Sequence, residues 1–298
     1  MNRAQKHPSP ALGDVSRGGG HFLYPLLSVR TAAVRLPYLW PMRLVRPSRR
    51  LGQCFLKDDA LARKIARALR PAAPSVIEVG GGGGMLTRAL QATYPDKTLW
   101  VVEVDPYWAE KLRRAHPDVQ VLHQDFLQWA FEADVPAPVS VVGNFPYSIS
   151  GPLVVHVMQR ATYVPSWGGM WQREVARRLT ARPGGRDYGI LSVLVGAFYQ
   201  RTYLFDVPPT AFSPQPKVWS AVTRFERKSR LPAVTPDHLL RVIKVGFRHR
   251  RKKLKNNIPA AWLPVFAELG IDQLRAEAVD IATWIRAAER LANLQHRP

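Results

Sequence analysis

Apolar residues recur through the middle of the chain with the two spacings that distinguish buried strands from helices. Short continuous apolar runs predict strands covered on both faces of a sheet, and apolar residues three and four apart predict the helices between them. The predicted strands are Ser75–Val79, Leu99–Val104, Val119–Leu122 and Ser140–Val142, and the predicted helices are Ala60–Leu69, Met85–Ala92 and Tyr107–Ala115. This alternation predicts an α/β fold with a parallel sheet.

The later part of the chain carries two further patterns. We expect three more strands to close the sheet edge, in part antiparallel, over Ile190–Tyr199, Tyr203–Val207 and Val218–Phe225. Beyond Arg227 two prolines indicate a linker, and the pattern then predicts helices over Asp237–Phe247, Ile258–Leu269 and Leu274–Leu294. The sequence therefore predicts a sheet domain over residues 42–227 and a small helical domain over residues 228–298.

The first 41 residues differ in composition from the rest of the chain. They are rich in Pro, Gly, Ser and Arg, and Asp14 is their only acidic residue. A secretory signal fits poorly because Pro25 interrupts a short apolar core, whereas an organellar transit peptide suits a basic, acid-poor segment. We favour a third interpretation, in which translation begins at Met42 and residues 1–41 are a disordered or misassigned extension.

The composition adds a strong positive charge to this picture. The chain has 43 Lys and Arg residues against 22 Asp and Glu residues, a formal net charge of +21. A surplus of this size favours a polyanionic partner, most often nucleic acid and less often an anionic membrane surface. A solvated basic surface without such a partner is the alternative.

Several classes of protein are disfavoured by what the sequence lacks. No apolar run approaches the ~20 residues that a membrane span requires. The one cysteine, Cys54, excludes an intramolecular disulfide and fits a reducing cytoplasm. The eight histidines are scattered without the close spacing of metal ligands, so we expect no metal site.

Five glycines, Gly80–Gly84, lie between a predicted strand and a predicted helix. Glycine lets the backbone approach a ligand closely, and the helix N-terminus offers free N–H groups. Glu103 ends the next strand, where a carboxylate can accept hydrogen bonds from both hydroxyls of a ribose. The spacing favours S-adenosylmethionine over a nicotinamide dinucleotide, because Met85 stands where the dinucleotide motif has its third glycine. A flexible turn that binds no ligand is the alternative.

Two further features follow later strands at the same predicted edge of the sheet. Asp125 follows the third strand, where an adenine ring could sit, although a helix N-cap explains an Asp there equally well. Asn144-Phe145-Pro146-Tyr147, which we call the tetrad, follows the fourth strand. Standing alone, the tetrad would be interpreted as a proline-containing turn that packs two aromatic rings.

Beside a cofactor loop, the tetrad suits chemistry on an adenine amino group. That nitrogen is a poor nucleophile because its lone pair is delocalised into the ring, and hydrogen-bond acceptors for its N–H groups favour a tetrahedral nitrogen. Asn144 can supply its side-chain carbonyl, and Phe145 or Pro146 a backbone carbonyl. Tyr147 offers a ring face to the base, a contact worth roughly 1–3 kcal/mol.

These residues allow a comparison with a known family. From about Met42 to the C-terminus, the chain resembles the ribosomal RNA small-subunit adenine N6-dimethyltransferases (KsgA type). The blocks that carry the resemblance are Leu51–Leu56, Glu78–Gly84, Val102–Asp105, Gln124-Asp125, Gly143–Ser150, Gln172–Ala176, Phe212–Val218 and Phe247–Asn257. Their order and spacing together are highly specific.

The resemblance implies a Rossmann-like S-adenosylmethionine-dependent methyltransferase sheet with a small C-terminal helical domain. It implies dimethylation of N6 on two adjacent adenines near the 3′ end of small-subunit rRNA, linked to small-subunit biogenesis. Phe212 would be a second stacking surface for the flipped adenine, opposite Tyr147, beside Asn144 and Pro146 of the tetrad. The residues expected to hold the cofactor are Cys54, Leu56, Gly80, Gly82, Gly84, Glu103, Asp125 and Asn144.

The chain departs from the family pattern at three positions. Cys54 stands where the family usually has His or Asn, Gly81 replaces a usual proline, and Ser148 stands where Asn is common. We expect a weaker polar contact to the cofactor at Cys54 and a more flexible loop at Gly81. Because Asn144 and Glu103 are retained, we expect activity to survive.

A strongly basic segment, Arg241–Lys255, holds eight Lys and Arg residues with apolar residues between them. Such a run suits phosphate contacts on structured RNA, read mainly by shape. A solvated helix and a nuclear-localisation signal are the alternatives. The residues expected to bind RNA are Arg248, Arg250, Arg251, Lys252, Lys253 and Lys255.

Three functions compete on this sequence. We favour a cytoplasmic, monomeric rRNA dimethyltransferase that acts on an immature 30S-type particle and does not bind membranes. The second is an RNA-binding assembly or transcription factor that keeps the fold and has lost the chemistry. The third is a related methyltransferase of large-subunit rRNA that confers antibiotic resistance, which the sequence around the tetrad and Arg248–Asn257 disfavours.

Overall fold

A sheet flanked by helices on both faces organises residues 54–295, the part of the chain that this computed structural model describes. The strands are β1 (Phe55–Leu56), β2 (Ser75–Val79), β3 (Thr98–Glu103), β4 (Gln120–His123), β5 (Val139–Asn144), β6 (Ser166–Gln172), β7 (Tyr199–Val207), β8 (Phe212–Ser213) and β9 (Ser220–Arg227). The helices are α1 (Asp59–Leu69), α2 (Met85–Thr93), α3 (Pro106–Ala115), α4 (Ser150–Gln159), α5 (Arg173–Thr180), α6 (Ile190–Phe198), α7 (Pro236–Gly246), α8 (Leu263–Glu268) and α9 (Ile281–Gln295).

The main sheet has the strand order β4-β3-β2-β5-β6-β9-β7. The first five strands in this order, β4, β3, β2, β5 and β6, run parallel to one another. Strand β9 is antiparallel to both β6 and β7. The predicted α/β fold with a mostly parallel sheet is therefore confirmed, with antiparallel strands at one edge. Strands β1 and β8 form a separate two-stranded antiparallel ladder.

The prediction of a strand over Ile190–Tyr199 was wrong, because this segment forms the helix α6. Seven of its residues, Ser192–Phe198, are buried, because four helices, α4, α5, α7 and α9, pack around α6. A helix that is apolar all round has no polar face to reveal its period, so its sequence looks like that of a buried strand. The chain becomes extended only at Tyr199, where β7 begins.

The predicted C-terminal helices were too long. The segment predicted as Ile258–Leu269 is helical as α8 only from Leu263, and the segment predicted from Leu274 begins as α9 at Ile281. The start of α9 has a local cause, since the Asp280 side chain accepts a hydrogen bond of 2.9 Å from the Thr283 N–H. Asp280 was not recognised as a cap from the sequence.

The helices after Arg227 share a buried core with the sheet region. The Tyr188 hydroxyl donates to the carbonyl of Val279 at 2.9 Å, and the rings of Phe247 and Trp284 stack at 5.7 Å. All described residues belong to one compact unit, Arg46–Pro298. A separate domain beginning at residue 228 therefore stays a prediction, and the predicted boundary at residue 42 lies outside the described residues.

Every helix within residues 54–295 is too short or too polar to cross a bilayer. The same residues bring no three His, Cys, Asp or Glu side chains together as metal ligands.

Glycines let the two central strands β5 and β6 approach under an aromatic ring. Gly143 of β5 pairs with Gly169 of β6, and the buried ring of Phe145 lies over both. A Cβ at Gly169 would collide with the Gly143 carbonyl oxygen and the Phe145 ring. Because Asn144 follows Gly143, this close approach also sets the position of the tetrad.

We expect Gly169→Ala to destabilise the protein by about 1–3 kcal/mol, the usual cost of overpacking a close contact. Gly151→Ala in α4 is the matched control, because a Cβ there would meet nothing within 4 Å. The control should leave the unfolding free energy unchanged or slightly higher, since alanine is the better helix former. Chemical denaturation measures both variants, and equal midpoints for the two would contradict this packing.

Candidate active site

The glycine loop, Gly80–Gly84, connects β2 to α2 at the carboxyl edge of the sheet. The three glycines of the predicted spacing, Gly80, Gly82 and Gly84, have φ angles of 76°, 50° and 78°. Only glycine adopts such angles without strain, so the loop follows a path that other residues would resist. Gly81 instead lies against Val101 and Leu112, where a Cβ would come within 2.5 Å of the valine. This packing leaves no room for a side chain and explains a glycine at position 81.

Glu103 ties this loop to the end of β3. Its Oε2 accepts from the Gly82 N–H at 2.9 Å, and its Oε1 accepts from the Asp105 N–H at 3.0 Å. The side chain is only 2% exposed, and the ion pairs of the described residues include none to it. A carboxylate offers about four acceptor positions, so two remain for a ligand.

A second buried carboxylate, Glu78, lies beside the same loop. Its Oε2 accepts from the Thr87 hydroxyl at 2.6 Å. Burial raises the pKa of Glu78 to about 7, the Thr87 hydrogen bond opposes this rise, and the charge of Glu103 adds to it. The loop therefore lies over two buried acids with no cation paired to either among residues 54–295.

One aromatic residue lies against the loop and is packed on a second, and the sequence did not reveal this arrangement. The Phe55 ring lies so close to Gly82 that a Cβ there would be 2.7 Å from it. Phe55 also contacts Trp108 of α3, with ring centroids 4.8 Å apart. The contact joins residues that are far apart in sequence, so the local sequence pattern gave no signal for it.

The tetrad adjoins the glycine loop directly. The Pro146 ring would lie 3.7 Å from a Cβ at Gly80. This contact follows from the pairing of β2 with β5 as parallel neighbours, which ends both strands at one edge. The structure therefore brings together the two features that the sequence singled out separately.

Asn144 ends β5 with its side chain held in one orientation. Its Nδ2 donates to the Cys54 carbonyl at 3.1 Å, which leaves the side-chain carbonyl oxygen as an acceptor on the opposite side of the amide. Within the tetrad, the Pro146 carbonyl already accepts from the Ile149 N–H at 3.2 Å. Asn144 is therefore the better placed of these two acceptors for a substrate amine.

The two predicted stacking rings have different surroundings. Tyr147 is half-buried, and its hydroxyl lies 2.5 Å from the Ser220 Oγ. Burial raises the pKa of Tyr147 above its ordinary value. Phe212 is only 1% exposed and pairs with Leu56 in the β1–β8 ladder, so neither face of its ring is open to a base in this conformation. Its stacking role stays a prediction that requires movement of the ladder.

The remaining predicted cofactor residues lie around the same edge. Leu56 is buried in β1, and burial raises the pKa of the half-buried Cys54 thiol. The Asp125 carboxylate accepts from the Leu127 N–H at 2.9 Å, so Asp125 caps a short helical turn. The capping interpretation is thus confirmed, and a cofactor role for the same carboxylate stays a prediction.

The basic segment begins within α7, which ends at Gly246, and continues as turns up to a short helical turn at Leu254–Asn256 rather than as one continuous helix. All six predicted RNA-binding residues are exposed. Arg250 differs from the others, because its Nε contacts Glu277 at 2.5 Å and its guanidinium also donates to the Arg186 carbonyl at 2.6 Å. Among the described residues, Arg248, Arg251, Lys252 and Lys255 have no hydrogen bond or ion pair from their side chains, and the Lys253 ammonium lies 3.5 Å from Gln273.

Comparison with curated proteins finds relatives that match most of the chain. A ribosomal RNA small subunit methyltransferase A from Thiobacillus denitrificans is 41% identical over 245 residues, 80% of this chain and 95% of the relative. A protein of the same name from Parabacteroides distasonis is 39% identical over 76% of this chain and 88% of its own length.

Solved structures agree with the fold. A dimethyladenosine transferase from Plasmodium falciparum is similar with a TM-score of 0.69 at 20% identity, over 80% of this chain and 98% of that one. The 23S rRNA methyltransferase ErmE is similar with a TM-score of 0.60 at 25% identity, over 80% and 99% of the two chains. The first likeness shows the fold alone.

The family comparison covers both the sheet and the helices that follow it. The model of the family described as ribosomal RNA adenine dimethylase matches residues 46–292. This range includes the glycine loop, Glu103, the tetrad and the basic segment. The chain therefore belongs to the ribosomal RNA adenine dimethylase family, whose enzymes transfer methyl groups from S-adenosylmethionine.

Proposed function

We propose that the chain dimethylates N6 of two adjacent adenines near the 3′ end of small-subunit rRNA. We also propose that it acts as a monomer, in the cytoplasm, on an immature small-subunit particle. The relatives named above support the small subunit as the target, because they carry that name at 39–41% identity. The observation that carries the proposal is the proximity of the glycine loop to the tetrad, since a Cβ at Gly80 would lie 3.7 Å from the Pro146 ring.

The charge of the pocket supports S-adenosylmethionine as its ligand. Glu78 and Glu103 are 1% and 2% exposed, and no cation is paired with either in the described part of the chain. Burying unpaired carboxylates is costly, so this pocket favours a ligand that brings positive charge. The methyl donor is a cation whose sulfonium supplies an activated methyl group and leaves as a neutral thioether.

We assign the contact with the ribose of the cofactor to Glu103. The glycines let the cofactor come close to the backbone of the loop. The two free acceptor positions of Glu103 suit two hydroxyls, and the loop N–H groups at the start of α2 suit oxygen atoms. Phe55, packed on Trp108, lies against Gly82 and forms an apolar wall beside this backbone. The predicted contacts of Cys54, Leu56 and Asp125 belong to the same proposal.

Asn144 acts on the adenine amine in this account. Its side-chain carbonyl accepts an N–H hydrogen bond, which favours a nitrogen whose lone pair points out of the ring system toward the methyl group. As the nitrogen–carbon bond forms, the amine becomes positively charged, and it then releases one proton to water. Most of the acceleration comes from alignment in a site that is already formed.

One assay separates this function from its alternatives. Tritiated methyl transfer from S-adenosylmethionine to immature small and large subunits is measured, and the modified base is identified by chromatography. We expect dimethyladenine in the small subunit only. Methylation of the large subunit would replace the proposal with the resistance methyltransferase, and no transfer to either would leave a binding factor.

Glu78→Gln should change how stability depends on pH. Because the folded-state pKa is raised from 4.5 to about 7, the folded protein holds a proton that the unfolded chain has already released. The wild type should therefore lose roughly 3 kcal/mol of unfolding free energy relative to the variant as pH rises through this window. Denaturation at several pH values measures the difference, with the exposed Glu174→Gln as control. If the unfolding free energies of the wild type and Glu78→Gln differed by the same amount at every pH, the pKa of Glu78 would not be raised in the folded state.

Asn144→Ala should lower the maximal rate of methyl transfer by at least about 100-fold, the usual cost of removing one transition-state hydrogen bond. Binding of the immature subunit should stay close to that of the wild type. The exposed Asn293→Ala in α9 is the control and should retain full turnover. Because Asn144 also holds Cys54, calorimetry must show that the cofactor still binds. Retained turnover in Asn144→Ala would remove its assigned role.

Replacing Arg251, Lys252 and Lys255 together by Gln should weaken RNA binding and reduce its salt slope by about three. Arg250→Gln is the informative comparison, because its guanidinium is held by Glu277 and the Arg186 carbonyl. That variant should lower the melting temperature and leave the salt slope nearly unchanged. Filter binding at several salt concentrations measures the slopes. A loss of about one unit of slope in Arg250→Gln would mean that Arg250 also contacts a phosphate.

A further inference from the structure

A half-exposed tryptophan lies next to the tetrad, and the mechanism above does not use it. Trp219 is 43% exposed and immediately precedes Ser220, whose Oγ contacts the Tyr147 hydroxyl at 2.5 Å. Phe212, the other aromatic residue of the segment 212–219, is only 1% exposed. Trp219 is therefore the ring of this segment that a ligand can reach.

The protein holds this exposed ring in a defined position. The Arg173 guanidinium lies 5.4 Å from the centroid of the Trp219 ring, and the Arg173 N–H donates to the Trp219 carbonyl at 2.9 Å. Arg173 is itself placed by Asp206, with 3.7 Å between their charged groups. An aromatic surface that is already ordered loses little entropy when a base stacks on it.

The position of Trp219 suits contact with an RNA strand that reaches the tetrad. Trp219 precedes β9, Arg173 begins α5, and Asp206 lies near the end of the edge strand β7. The ring therefore lies between the tetrad and the β7 edge of the sheet. Arg177 and Arg178 are exposed further along α5 and supply positive charge on the same helix.

We propose that Trp219, held by Arg173, stacks on an unpaired nucleobase that flanks the adenine in the active site. This inference rests on the proposed function in one respect, namely that the bound strand is the RNA substrate. Every nucleobase has a π face, so the site takes a base without selecting its identity. Arg173 strengthens the platform by its charge and faces a phosphate-bearing ligand favourably. The stack contributes to affinity for RNA and not to the methyl-transfer step.

Two substitutions at this position separate stacking from simple apolar contact. Trp219→Leu keeps apolar bulk and removes the aromatic face, whereas Trp219→Phe keeps a smaller face. We expect Trp219→Leu to raise both the Kd for the immature small subunit and the KM of methyl transfer by about 5- to 100-fold. Its kcat at saturating RNA should stay within about twofold of wild type, and Trp219→Phe should recover most of the affinity.

The matched control is Val218→Ala, because Val218 is also 43% exposed and has no ring. It should bind as the wild type does. The salt slope of Trp219→Leu should also equal that of the wild type, since stacking releases no counterions. Thermal melting of each variant checks the fold, and Arg173→Met provides a second route to the same platform if Trp219→Leu is unstable. Arg173→Met should weaken binding less than Trp219→Leu does.

An abasic substrate tests the partner of the stack directly. Small-subunit RNA lacking the base on the 5′ or the 3′ side of the target adenine should bind the wild type more weakly at one of these positions. The same RNA should bind Trp219→Leu no more weakly than intact RNA does, because the stack is already absent. The inference would be overturned if the loss of affinity from removing the base added to the loss from Trp219→Leu at both the 5′ and the 3′ position. It would also be overturned if Trp219→Leu bound RNA as tightly as the wild type does.

These binding measurements do not require turnover. A wild type that binds the small subunit without methylating it would overturn the proposed function, and the effect of Trp219 on its Kd would still decide the stacking inference. If Trp219→Leu lowered kcat and left KM unchanged, Trp219 would act in the methyl-transfer step. That result would overturn the stacking inference and leave the proposed function intact.

Discussion

The parallel pairing of β2 with β5 is the constraint on which the rest of the site depends. Both strands end at the same edge of the sheet, so the loop that leaves β2 and the tetrad that ends β5 meet at Gly80 and Pro146. The register continues through β6, where paired glycines allow the strands to close under Phe145. A change in this register would move Asn144 away from the loop, although every residue of both motifs would remain.

The surface of the protein is positively charged, whereas the region beneath the glycine loop is acidic. The chain carries a net charge of +21, yet the region beneath the glycine loop holds two buried acids without paired cations among the described residues. The acidic pocket favours a cationic nucleoside cofactor, and the basic exterior favours RNA. These two charge distributions suit ligands of opposite charge, the cationic cofactor and the RNA substrate.

The sequence predicted the strands that lead into the site, the glycine spacing and the placement of Glu103 and Asn144 at one edge of the sheet. These depend on short-range periodicity and on the rule that parallel strands end together. It failed where burial removed the periodic signal, as in Ile190–Phe198, which is a helix apolar on all sides. Contacts between distant residues were also missed, including those of Phe55 with Trp108 and Tyr147 with Ser220. The burial of Phe212 depends on the β1–β8 ladder, for which a two-residue strand gives no pattern. Residues 1–53 lie outside the described part of the chain, so the prediction for Met42 stands as it was made.

The central claim is that the glycine loop and the tetrad form one site for cofactor and amine. A crystal structure of the protein with S-adenosylhomocysteine tests it most directly. The ribose hydroxyls should lie on the Glu103 carboxylate, and the sulfur atom should face the Asn144 side-chain carbonyl. A nucleoside bound away from Gly80–Gly84, or a sulfur atom turned away from Asn144, would contradict it.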